Sequence, residues 1–103
     1  PKWTDAALKG GWRNTTDYGD VQFSKSVDGT VYFRGTARGG NTTQETVIFT
    51  LPEGYRPGKQ LYLSALNNSY GVAILSIRPD GAVVVKSNVD SQWLNFDNIS
   101  FRI

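Results

Sequence analysis

The chain has 103 residues, 39% of them hydrophobic and 13% aromatic, with eleven basic side chains against nine acidic and a formal charge of +2. That length and apolar content support one domain with its own core and exclude a disordered tail. Cysteine and histidine are absent, which removes a disulfide framework, thiolate or imidazole metal sites, and the Ser-His-Asp constellation.

The cations are spread from Lys2 to Arg102 without a basic stripe, so nucleic acid is not an expected partner. No run approaches the roughly 20 apolar residues of a membrane helix, and no signal peptide is visible. Membrane insertion is therefore not expected. The lack of disulfides favours folding in a reducing cytoplasm. Methionine is missing even at position 1, so PKWTD reads as a cut end of a longer chain.

Residues 1–10 read as a linker or a short helical lead-in, with Thr4 or Asp5 as N-cap and Gly10 as the stop. From Gly11 the pattern turns to β, and residues 11–103 form the expected domain. Gly11–Asn14 is a short edge-like strand followed by the polar loop TTDYG. Val21 and Phe23 alternate with Gln22 and Ser24. After the turn at Val27-Asp28-Gly29, Thr30–Ala37 places Val31, Phe33, Gly35 and Ala37 on one face and Tyr32, Arg34 and Thr36 on the other. Period two with one apolar side predicts half-buried strands joined as a hairpin.

A polar, glycine-rich loop, ARGGNTTQE, leads to a strand in which Val47, Phe49 and Leu51 share a face. LPEGYRPG then carries two prolines and two glycines, through which no helix or central strand can pass. Leu61, Leu63 and Ala65 face away from Tyr62 and Ser64. NNSYG supplies residues tolerant of positive φ. Val72–Ile77 is apolar on both faces, as in a strand covered on both sides. RPDG makes a type I turn into Ala82–Lys86. Ile99, Phe101 and Ile103 alternate with Ser100 and Arg102 in a closing strand whose last side chain is expected to pack. The sum is an all-β domain of about eight short strands, an antiparallel sandwich or jelly-roll-like head.

Chemistry is sparse. Asp28 and Asp80 precede glycines, and Glu53 sits between Pro52 and Gly54, so turn formation explains them without catalysis. There is no D-x-D-x-D-G calcium loop and no G-x-x-x-x-G-K-[ST] phosphate loop. No enzyme, metal or cofactor is expected. Aromatic residues in polar loops are the better clue, because an aromatic face covers the apolar side of a sugar ring while polar neighbours reach its hydroxyls. Asn67, Asn68 and Tyr70 converge in one loop and lead the candidates, followed by Trp12, Tyr18 and Trp93. The competing reading makes Trp12 and Trp93 core or subunit-contact residues, and Tyr55 a structural plug.

The segments GWRN, YGDVQFSKSVDGTVYFRGTARGG, VIFTLPEGYRPGKQLYLSAL and WLNFDNISFRI resemble the C-terminal domain of fibre proteins from phages of Gram-positive bacteria, the tail-fibre, baseplate receptor-binding and head-fibre group. FTLPEGYRP and ISFRI are the most specific pieces. The resemblance implies a β-sandwich head at a fibre tip in the virion, assembled as a homotrimer, that recognises a host cell-surface saccharide such as a wall polysaccharide or teichoic acid. It implies no catalytic residue. In such a trimer, Val72–Ile77 and Val83–Val85 would divide between core and subunit seam. The alternative is a structural trimerisation or capping module of the fibre with no ligand of its own.

Overall fold

Two antiparallel sheets make up the computed structural model, which describes residues 2–103. The strands are β1 (Thr4–Asp5), β2 (Arg13–Asn14), β3 (Gln22–Lys25), β4 (Thr30–Arg34), β5 (Thr36–Arg38), β6 (Val47–Thr50), β7 (Leu61–Asn67), β8 (Val72–Ile77), β9 (Ala82–Ser87), β10 (Leu94–Asn95) and β11 (Ser100–Arg102). A four-stranded sheet runs β1-β3-β4-β11, and a seven-stranded sheet runs β2-β5-β10-β7-β8-β9-β6. There is no helix among the described residues. The sandwich expected from the alternation is therefore present, with eleven strands in place of about eight.

Turn chemistry sets the hairpins. In the β3–β4 turn Gly29 takes φ +88°, and the Asp28 carboxylate accepts from the Ser26 hydroxyl and from the Thr30 N–H at 3.0 Å. This register places Phe23 opposite Phe33, both in the core, and turns Gln22, Tyr32 and Arg34 to the outer face, where Ser24 is covered. The β8–β9 turn closes as RPDG predicts: Gly81 N–H donates to the Arg78 carbonyl at 2.8 Å, and Ala82 N–H to the Asp80 carboxylate at 3.0 Å.

Between the sheets, Phe33 packs edge-to-face on Phe49 (5.6 Å between centroids), Phe96 (6.2 Å) and Phe101 (6.0 Å). Such pairs add about 0.5–1.5 kcal/mol each beyond area burial. Tyr55 is a plug, as expected, its ring 5.1 Å from Phe23.

Several sequence-based expectations are corrected. Thr4–Gly10 forms no helical turn, because β3 offers β1 a ladder: Thr4 lies opposite Phe23 and Asp5 opposite Gln22, while Ala6 is buried and donates its N–H to the Val21 carbonyl. Thr30–Ala37 is not one strand. At Gly35, φ +99°, the chain leaves the small sheet and enters the large one, so Thr36 and Ala37 are both buried. A β-bulge between Val47 and Phe49 likewise buries Ile48 and Phe49 together. Val83, Val84 and Val85 are all enclosed within the chain, which removes them from any seam. β8 is covered on both faces only towards Ile77; Val72 is 56% exposed. Ile103 shares by alternation the face that buries Ile99 and Phe101, but the strand ends at Arg102 and Ile103 is left half exposed.

Candidate functional site

The β7–β8–β10 part of the large sheet has an uncovered outer face. Register and alternation turn Tyr62, Ser64 and Leu66 outward from β7, and Val72 and Ile74 outward from β8. Asn95 of β10 lies opposite Leu66, so the row continues towards Trp93, just before that strand. Trp93 is half-buried and stands between two tyrosines, with ring centroids 6.2 Å from Tyr18 and 6.3 Å from Tyr70. Together with Thr36 and Asn95, these rings line a cavity of about 180 Å³.

Three loops build this cluster, and each is fixed by local hydrogen bonds. Tyr18 comes from the TTDYG loop, its N–H on the Thr15 hydroxyl at 3.2 Å. The β7–β8 loop is organised by Asn67, whose Oδ1 accepts from Ser69 N–H (3.0 Å) and Gly71 N–H (2.9 Å) while its Nδ2 donates to the Asn88 carbonyl. Asp90 ties the third loop to the second: its carboxylate accepts from Gln92 N–H and Trp93 N–H on one oxygen and from Asn68 N–H on the other.

Tyr70 is the informative residue. It adopts φ +60° and its side chain is 80% exposed. A bulky residue in the left-handed region is uncommon and costs about 1–2 kcal/mol where glycine would sit freely. The edge contact with Trp93 offsets much of that cost, and the rest of the ring faces solvent, where it is open to a ligand.

Tyr18, Tyr70 and Trp93 are thus brought together, with Asn68 exposed in the Tyr70 loop. Trp12 and Asn67 are not part of the exposed surface. Trp12 is 4% exposed, donates its indole N–H to the Asn41 carbonyl at 3.2 Å, and lies on Gly40, where a Cβ would fall 2.1 Å from the ring. Asn67 is buried, and its amide is consumed in holding the loop. Asn95 and Thr36, which the sequence reading passed over, form the floor, linked by Asn95 Nδ2 to Thr36 Oγ1 at 2.9 Å. The cluster offers aromatic faces and phenolic hydroxyls, a set suited to stacking and hydrogen bonding.

No family model matches the chain, and no curated protein matches it in sequence. Two solved structures match its fold. The receptor binding protein (gp15) of Listeria phage PSA superposes with a TM-score of 0.75 at 15% identity, over 97% of this chain and 63% of that one. The head domain of the lactococcal phage bIL170, described among receptor binding domains, superposes with a TM-score of 0.64 at 18% identity, over 99% and 97%. This chain shares its fold with these two phage structures. This chain spans nearly the full bIL170 head but under two thirds of the Listeria phage protein.

The four-stranded sheet of this head-like fold carries a second concavity that the sequence reading missed. It holds about 920 Å³ and is lined by Trp3, Tyr32 and Arg34 among others. Trp3 lies in the segment whose sequence reads as a lead-in, and Tyr32 and Arg34 stand on the polar side of a strand. The signal was there in principle, since an aromatic and an arginine two positions apart on a strand share one face.

Proposed function

We propose that the chain is the head domain of a phage receptor-binding protein, a virion component that recognises a host cell-surface carbohydrate during adsorption through Tyr18, Tyr70 and Trp93. The observation that carries this reading is the exposed, left-handed Tyr70 set against Trp93. The fold match to two phage receptor-binding structures supports the host-recognition role. The head acts by binding and catalyses no reaction.

A homotrimer belongs to the same proposal. The outward row Tyr62, Leu66, Val72 and Ile74, interrupted only by Ser64, is largely apolar and continuous with the aromatic cluster through the Leu66–Asn95 pair. Packing copies along that row removes apolar surface from water at about 25 cal/mol per Å². Three heads then multiply weak sugar contacts by effective concentration.

The test is pull-down of the purified domain on intact Gram-positive cells, before and after stripping of wall polysaccharide. Binding that disappears on stripping supports a saccharide receptor. The same apolar row favours a second reading, a structural trimerisation or capping module. A trimer that binds no cell across a broad panel decides for that reading and against the first.

A further inference from the structure

The outer face of the four-stranded sheet holds an arginine that is fixed in place without an anion. Arg34 Nε donates to Gln22 Oε1 at 2.8 Å, and Gln22 Nε2 donates in turn to Asp5 Oδ1 at 2.8 Å. The guanidinium carbon lies 4.0 Å from the centroid of the Trp3 ring. Holding an arginine rotamer in this way costs side-chain entropy, and the usual return is a bidentate carboxylate or phosphate. Yet both ion pairs among the described residues belong to Glu45, with Arg78 and Lys86. Asp97 also lines the trough, but its Oδ1 accepts from Gly35 N–H and its Oδ2 from Asn95 Nδ2.

The surroundings of Arg34 are those of a sugar site. Tyr32 is exposed and lies directly opposite Ser24 on one side and Ser100 on the other. Strands about 4.8 Å apart therefore set the Tyr32 ring beside the exposed Ser100 hydroxyl of β11, while Ser24 on the β3 side is buried. The volume, about 920 Å³, is that of an ordinary small-ligand cleft.

We infer that this trough is a second binding site, on the sheet opposite the Trp93 cluster, for an acidic saccharide. One sugar ring lies on Tyr32 with a hydroxyl on Ser100, and its carboxylate or phosphate substituent lies on the free edge of Arg34. The inference shares with the proposed function the premise that the ligand is a sugar, but uses none of the same residues.

The chain contains three tryptophans, which makes the two sites separately readable: Trp3 reports the trough, Trp93 the first cluster, and buried Trp12 serves as control. The experiment follows the three indole N–H resonances and the Ser24, Tyr32 and Ser100 amides while titrating matched pairs, galacturonate against galactose and glucose 6-phosphate against glucose. The expected result is saturable shifts at Trp3 and these amides, with an acidic sugar bound about tenfold more tightly than its neutral twin. Arg34→Gln removes that preference, and Tyr32→Ala weakens both members of each pair. Shifts at Trp93 alone overturn this site and leave the first standing, whereas shifts at Trp3 alone do the reverse. Equal response to acidic and neutral sugars, unchanged in Arg34→Gln, also overturns it. So does a Trp3 resonance that moves with protein concentration and not with sugar, which marks the trough as covered by a second copy.

Discussion

Gly35 and Asp97 meet at the corner where the chain changes sheets: Asp97 Oδ1 accepts the Gly35 N–H at 2.8 Å. Phe96 N–H donates to the Gly35 carbonyl at 2.8 Å, so both backbone groups of the glycine are satisfied by the returning segment. A Cβ on Gly35 would fall 2.0 Å from the Asp20 carbonyl oxygen, at a φ of +99°. Asp97→Ala strands the part-buried N–H and should cost about 1–3 kcal/mol. Gly35→Ala should cost more, since backbone has to move. Denaturant midpoints at constant slope check both, and an Asp97→Ala midpoint equal to that of the parent would remove the corner bond from the account.

Tyr70→Gly should separate stability from binding. Relief of about 1 kcal/mol of left-handed strain offsets a ring contact with Trp93 worth about 0.5–1.5 kcal/mol. Stability should therefore stay within about 1 kcal/mol of the parent while cell adsorption falls. If adsorption is unchanged in a folded Tyr70→Gly head, Tyr70 is cleared as a ligand residue.

Acid should act on Asp28 and Glu45. The Ser26 hydroxyl, then the Thr30 N–H, hold the Asp28 carboxyl down at about 2, and Lys86 followed by Arg78 hold Glu45 below its ordinary value. A carboxyl depressed in the folded state contributes stability that is present above its unfolded value, near 3.9 for Asp, and is lost as pH falls through the folded value. The Asp28 contribution should thus fade between about pH 4 and pH 2. Asp28→Asn should show a shallower loss of stability over that window, read from urea midpoints at several pH values. Identical slopes for both proteins would remove Asp28 from the linkage.

Charge placed on the outer face of the large sheet should disperse the proposed trimer. Leu66→Glu with Val72→Glu changes two exposed side chains and leaves the core untouched. At tens of micromolar the parent should sediment as a trimer and the double variant as a monomer. A parent that is already monomeric under those conditions removes the seam from this face.

Much of the sandwich was legible because alternation and turn chemistry are local. Phe23 and Phe33 announce their faces within a few residues, and RPDG closes as its residues require. The corner at Gly35 was not legible, since Val31, Phe33, Gly35 and Ala37 read as one continuous face and the partner that bends the chain, Asp97, is remote in sequence. Trp12 and Trp93 have equally polar neighbours in sequence. They are told apart by Gly40, which admits the Trp12 ring, and by Asp90, which holds the Trp93 loop against Asn68. Asn67 lies in the β7–β8 turn that its sequence neighbours announce, and the turn itself uses up its amide.

The Phe33 cluster also has a consequence in time. Its partner Phe49 is synthesised soon after it, whereas Phe96 and Phe101 arrive much later, a wait of several seconds at about 5–20 residues per second. Throughout that interval the β4 edge that β11 will occupy lacks its neighbour. On a polysome a strand able to fill it can come from another copy of the same chain, so a densely loaded message favours exchange of β11 between heads, and a sparsely loaded one favours the closed head.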